Sequence, residues 1–179
     1  MLKRIVTILL FIFFAIFLVV VQFSLLNSLT YPWLSINLLV IALVLVFLIS
    51  NKEQAWFLAI ALGYFNDLLS FQAFGATIVS LFLTAIIIYL ILENWLTNRS
   101  LYSFMLITVI AIFVESLIYN LFIYIFDWSG QINSFFLFSS SFWTSLAWNI
   151  LTALIIVTLS FHFLVILSRK LQPFFLSKK

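Results

Sequence analysis

Cysteine is absent from this chain, which excludes disulfides, thiolate metal sites and a lipoprotein anchor. Histidine occurs once, at His162, so the paired histidines of an H-E-x-x-H zinc protease cannot be assembled. Glycine occurs three times, and none of the three stands in the G-x-S-x-G turn that an intramembrane serine protease builds around its nucleophile. Acidic residues are few and scattered: Asp67 and Asp127 are isolated in sequence, whereas phosphatidyl-transferring enzymes cluster aspartates around a divalent metal. No catalytic residue, metal or cofactor is therefore expected. Charge as a whole is scarce, at 7% of residues, where a water-soluble globule carries roughly a quarter.

What fills the chain instead is hydrocarbon: 66% of its 179 residues are hydrophobic. Lipid must be the main solvent. The length accommodates about six spans of ~20 residues with short loops, and leaves no room for a soluble domain. The eight lysines and arginines all fall at one set of alternate ends of the apolar runs. Lys3 and Arg4 precede the first run and Lys52 lies between the second and third. Arg99 separates the fourth and fifth, and Arg169, Lys170, Lys178 and Lys179 follow the last. Short basic loops resist translocation, so both termini are expected in the cytoplasm. The pI near 9.3 does not indicate nucleic acid, because these residues are dispersed helix-end anchors and not a continuous patch. The C-terminal cluster also suits contact with anionic inner-leaflet lipid.

The expected spans are 5–26, 33–49, 55–70, 74–92, 101–126 and 145–167, in one polytopic domain covering residues 1–179. The start, Met1–Arg4 followed by apolar Ile5–Val21, imitates a signal peptide but runs past the usual ~7–15 apolar residues without a small-residue cleavage site, so an uncleaved span is expected. Pro32 signals the start of the second span. Phe135–Thr144, aromatic with serines in its middle, suits either an interfacial helix or an extension of the last span. Trp33, Trp128, Trp143 and Trp148 on one side, and Trp56 and Trp95 on the other, all lie near span ends, where indole prefers the headgroup level.

Two places carry polar groups at membrane depth. In the third span, a helix rising from Glu53 reaches Asp67 after roughly 21 Å of a ~30 Å core, so Asp67 is expected below the outer interface. In the fifth, Glu115 lies roughly 21 Å from the inner surface. Thr108, Ile112, Glu115, Ser116 and Tyr119 follow helical spacing there and form a polar stripe that should face other helices. The stripe reads either as a proton or ligand site or as inter-helix polar glue, and the absence of a basic partner at that level favours glue. His162 is expected at about half the height of Glu115, too far for direct pairing.

The most distinctive stretch is Gly63-Tyr-Phe-Asn-Asp67-Leu-Leu-Ser70-Phe-Gln-Ala-Phe-Gly75. Gly63, Asp67 and Ser70 share one helix face, placing a close backbone contact one turn below a carboxylate and a hydroxyl, and Gly75 permits a tight turn. This stretch resembles the G-x-x-x-D-x-x-S-x-x-x-x-G element of the rod shape-determining protein MreD family, at a similar place along the chain. The likeness extends loosely over a short basic N-terminus and Asn37 opening the second span.

The resemblance implies a non-enzymatic subunit of the bacterial cell-elongation machinery in the inner membrane. It also implies work with an MreC-like protein and the peptidoglycan-synthesis complex, and a six-helix fold resembling the substrate-binding component of energy-coupling-factor transporters. On this reading Gly63, Asp67, Ser70 and Gly75 shape a structural or docking turn. The alternative is a subunit that captures a small, vitamin-type molecule near Asp67 and Glu115. Such subunits dock their partner through a small-x-x-x-small pattern in the first span, of which this chain offers only Ala15.

Overall fold

Away from water a backbone must satisfy its own polar groups, and a helix does so within one segment. The computed structural model describes residues 2–26, 28–30, 36–49, 52–70, 74–94, 101–126 and 139–176, and contains no strand among them. The elements in order are α1 (Leu2–Val21) running into a π-helical turn (Gln22–Leu26), α2 (Leu38–Ile49), α3 (Lys52–Leu69), α4 (Ala76–Asn94), α5 (Leu101–Phe126) and α6 (Ser140–Leu176). α4, α5 and the Ser140–Phe163 part of α6 are each long and apolar enough to cross a membrane, and shorter apolar helices occur at Leu9–Ser24 and Leu38–Phe47. The chain is an all-helical membrane protein.

α2 is the centre of the bundle. It is apolar on every side, and Leu39, Val40, Ile41, Ala42, Leu43 and Val44 are all buried, as expected of a helix enclosed by others. It touches all five of the other helices, while α3–α4, α4–α5 and α5–α6 pack as successive antiparallel neighbours and α1 lies against α3. α2 is also shorter than its apolar run. A helix over 33–49 is expected from hydropathy, yet it begins at Leu38, because the Asn37 side-chain oxygen accepts from the backbone N–H groups of Leu39 (3.2 Å) and Val40 (3.3 Å). A capping amide ends the preceding irregular backbone at that point.

The tightest pair is α3 with α4. Ala55, Ala59 and Gly63 recur every four residues along α3, and all three are buried. Small residues in that row let two helix backbones approach, which matters in lipid because apolar surface alone gives no preference for protein over acyl chain. The approach culminates at Gly63, where a β-carbon would stand 2.6 Å from the Ile78 Cα and 3.0 Å from its backbone nitrogen. Nothing larger than hydrogen fits there.

Further differences from the hydropathy reading have local causes. α6 begins at Ser140 and continues to Leu176, so Ser140–Thr144 belong to the helix; residues 135–138 lie outside the described ones. Trp56 is not a free interfacial anchor. Its indole is packed by Phe47 of α2 and by Phe82 and Tyr89 of α4, at ring-centroid distances of 5.9, 5.6 and 5.9 Å, tying three helices together. Trp143 and Trp148 are exposed on α6. Trp33, Trp95, Trp128 and Asp127 lie outside the described residues.

Candidate functional site

The Gly63–Gly75 element closes on itself. Asp67 sits in the last turn of α3, is almost wholly buried, and turns its carboxylate toward the first turn of α4. Oδ1 accepts from the Thr77 N–H at 3.1 Å; Oδ2 accepts from the N–H groups of Gly75 at 3.0 Å and Ile78 at 3.1 Å. The first N–H groups of a helix have no partner within it, and they carry the positive end of the helix dipole. A carboxylate from a different helix therefore caps α4 both by hydrogen bonds and by charge.

The neighbours complete the joint. Asn66 donates through Nδ2 to the Thr77 hydroxyl at 2.9 Å, and the Ser70 N–H returns to the Asn66 carbonyl at 2.9 Å as α3 ends. Ser70 also donates its hydroxyl to the Asp67 carbonyl at 3.4 Å, so it finishes α3 and does not join the carboxylate. Gly75 has φ +97°, a backbone state that side chains disfavour, and its carbonyl accepts from the Val79 N–H at 3.0 Å to begin α4. Of the four residues singled out by sequence, Asp67 and Gly75 are bonded directly, Gly63 supplies the close approach one turn below, and Ser70 closes the preceding helix.

Glu115 organises a second joint. It is buried on α5 together with Thr108 and Ile112 of the same stripe, and the Asn37 side chain hydrogen-bonds to it. Because the Asn37 oxygen already caps α2, its Nδ2 is the atom left to donate to the carboxylate. The Asn37 N–H in turn donates to Oδ1 of Asn149 on α6 at 3.2 Å. On the other side, Gln22 in the π-helical turn donates through Nε2 to the Ile36 carbonyl at 2.8 Å and accepts from the Leu38 N–H at 3.0 Å. Side chains of α1, α5 and α6 thus converge on the start of α2.

Gln22, Asn66 and Asn149 were not singled out from sequence. The available signal was chemical: each is an amide inside or at the end of an apolar run, where an amide must find a partner.

Tyr119, one turn along α5 from Glu115, lies within electrostatic range of both Glu115 and Asp67, so the two joints flank it. Ser116 is half-buried, and its carbonyl accepts from Nδ2 of Asn120 at 2.7 Å. His162 is exposed on α6 and takes no part in either joint. The buried hydroxyls are satisfied locally: Ser80 donates to the Thr77 carbonyl, Thr84 to that of Ser80 and Thr108 to that of Phe104. Among the described residues no three of His, Asp or Glu gather as metal ligands.

Both intramembrane acids thus meet the N-terminal end of a helix, Asp67 directly at α4 and Glu115 through Asn37 at α2. Such an arrangement fixes helix positions and leaves few polar atoms facing outward. It defines the chain as a helical membrane protein stabilised by two internal polar joints. The chain matches no protein-family model, no curated protein and no solved structure.

Proposed function

We propose that this chain is a non-enzymatic, six-span subunit of the bacterial cell-elongation machinery, of the MreD type, that supports peptidoglycan synthesis by binding an MreC-like protein. The observation that carries this reading is the fate of the motif on which the resemblance rests. Gly63, Asp67 and Gly75 are consumed in joining α3 to α4, which is what a shape-defining element does and what a catalytic or ligand-capturing carboxylate does not do. On this reading α1 to α6 each cross the inner membrane and both termini face the cytoplasm, in keeping with the placement of the basic residues.

The transporter-subunit alternative has less support. Ala15, the small residue of the first span, is fully buried within the chain and is not displayed for docking a partner.

The test is a pull-down of the tagged protein from its native membrane, with associated cell-wall proteins and small molecules both read by mass spectrometry. Retrieval of an MreC-like protein, lost together with normal rod morphology in Asp67→Ala, is the expected result. Normal association and morphology in that variant would reject the proposal, and a tightly held heterocycle without such a partner would favour the alternative. Because the chain is cysteine-free, orientation can be read from single cysteines. Those replacing Leu29, Gln72 and Gln131 should label from outside, and those replacing Lys52, Asn98 and Lys178 should not.

A further inference from the structure

The helices do not reach the same height on the side of Asp67. α4 and α5 are antiparallel neighbours, so Asn94 and Leu101 lie at the same end of the bundle. Climbing α5 by the length of α4 arrives at Tyr119, and the electrostatic contact between Tyr119 and Asp67 sets the α3–α4 turn at that level too. α5 continues from Asn120 to Phe126, a further rise of about 10 Å. α6 rises with it. The Asn37 bonds to Glu115 and Asn149 put those two residues side by side, and from Asn149 the helix extends back to Ser140, about 13 Å higher. The bundle is therefore stepped, low at the α3–α4 hairpin and the start of α2, and high at α5 and α6.

Both levels present apolar surface sideways. On the high side Ile125 and Phe126 are 63% and 60% exposed, which is unsuited to water; on the low side Leu69 and Phe74 are 47% and 61% exposed. The low side nevertheless ends in a polar turn. The last carbonyls of α3 are ones a helix cannot satisfy internally, and acyl chains offer them no donors. A flat leaflet cannot suit both levels. If it met the top of α5 it would bury the α3–α4 turn in hydrocarbon, and if it met that turn it would strand Ile125 and Phe126 in water.

We propose that the bilayer itself is the partner fitted by this step: the outer leaflet descends around the α3–α4 hairpin, so that headgroups reach the Ser70–Gly75 turn about 10 Å below their height beside α5 and α6. The proposal rests on the six-span reading. It makes the hairpin edge the place where the membrane is locally thinned, and the Gly63–Asp67–Gly75 joint the device that holds the thin edge short.

The test uses single-cysteine variants Leu69→Cys, Ile125→Cys and, as a mid-helix reference, Leu83→Cys, each carrying a fluorophore. The full-length protein is reconstituted in dioleoylphosphatidylcholine vesicles. Quenching is measured with nitroxide lipids labelled at the headgroup or mid-chain and with aqueous iodide. The expected result is loss of fluorescence to the headgroup quencher at both 69 and 125, and to the mid-chain quencher at 83. Mid-chain quenching at 69 with headgroup quenching at 125 would overturn the proposal, because the leaflet would then be flat. Iodide quenching at 125 with headgroup quenching at 69 would overturn it as well, with α5 projecting into water. Iodide quenching at 83 would instead bring down the six-span reading, and the proposal with it.

Discussion

Replacing Asp67 should loosen the α3–α4 hairpin by an amount that the geometry bounds. Its two oxygens hold three backbone N–H groups, those of Gly75, Thr77 and Ile78. An ordinary N-cap contributes about 1 kcal/mol, a hydrogen bond to a charged group roughly 1.5–3 kcal/mol, and a partly buried charge at a helix end up to ~2 kcal/mol. These terms overlap, because freed N–H groups recover water or local carbonyls, so the expected loss for Asp67→Ala is about 3 kcal/mol. Asp67→Asn keeps one oxygen. Placed where Oδ2 now lies, it retains Gly75 and Ile78 but turns an NH2 toward the Thr77 N–H, for an expected loss of about 2 kcal/mol. Equilibrium unfolding in mixed detergent and SDS micelles gives the ranking Asp above Asn above Ala. Hydrogen exchange at Thr77 and Ile78 shows whether the damage is at α4. An Asp67→Ala protein within about 0.5 kcal/mol of the parent, with unchanged protection at those two amides, would refute the capping argument.

Gly63→Ala should cost about 2 kcal/mol or more by the same unfolding assay, since the new methyl meets helix backbone that can move only by separating α3 from α4; a neutral result would show that the helices lie farther apart. At Gly75 an added β-carbon meets nothing within 4 Å, so only the φ of +97° resists substitution. Gly75→Asn should therefore lose about 1 kcal/mol and Gly75→Val more, and equal thermal midpoints for the two would contradict this. A double-mutant cycle on Asn37 and Glu115 should yield a coupling of about 0.6–1.7 kcal/mol, with Glu115→Gln milder than Glu115→Leu because it keeps an acceptor; zero coupling would remove the second joint. Gln22→Leu deletes both clasps on the start of α2 and should speed exchange at the Leu38 N–H, whereas unaltered exchange would mean that the clasp is not formed in lipid.

Much of the architecture was legible because solvent chemistry acts residue by residue. Sparse charge and long apolar runs announce a helical membrane protein without any knowledge of packing. α5 spans the same residues, Leu101–Phe126, that hydropathy marks, since both of its ends adjoin polar sequence. α2 is different. Hydropathy continues smoothly back to Trp33, and only Asn37, an amide whose capping geometry hydropathy does not register, sets the start at Leu38. The element from Gly63 to Gly75 stood out as a pattern, but the pattern could not say whether the carboxylate faced a partner, a ligand or the chain's own next helix.

The sequence by itself determined the medium in which this protein folds and the few positions where polar atoms enter that medium, because transfer free energies belong to individual side chains. The tertiary structure decided what those atoms do. Asp67 meets α4 across a ten-residue separation to Thr77, and Asn37 meets Asn149 across 112 residues. A hydrogen bond is lost within about an ångström of misplacement, so its partner is chosen by how the helices pack.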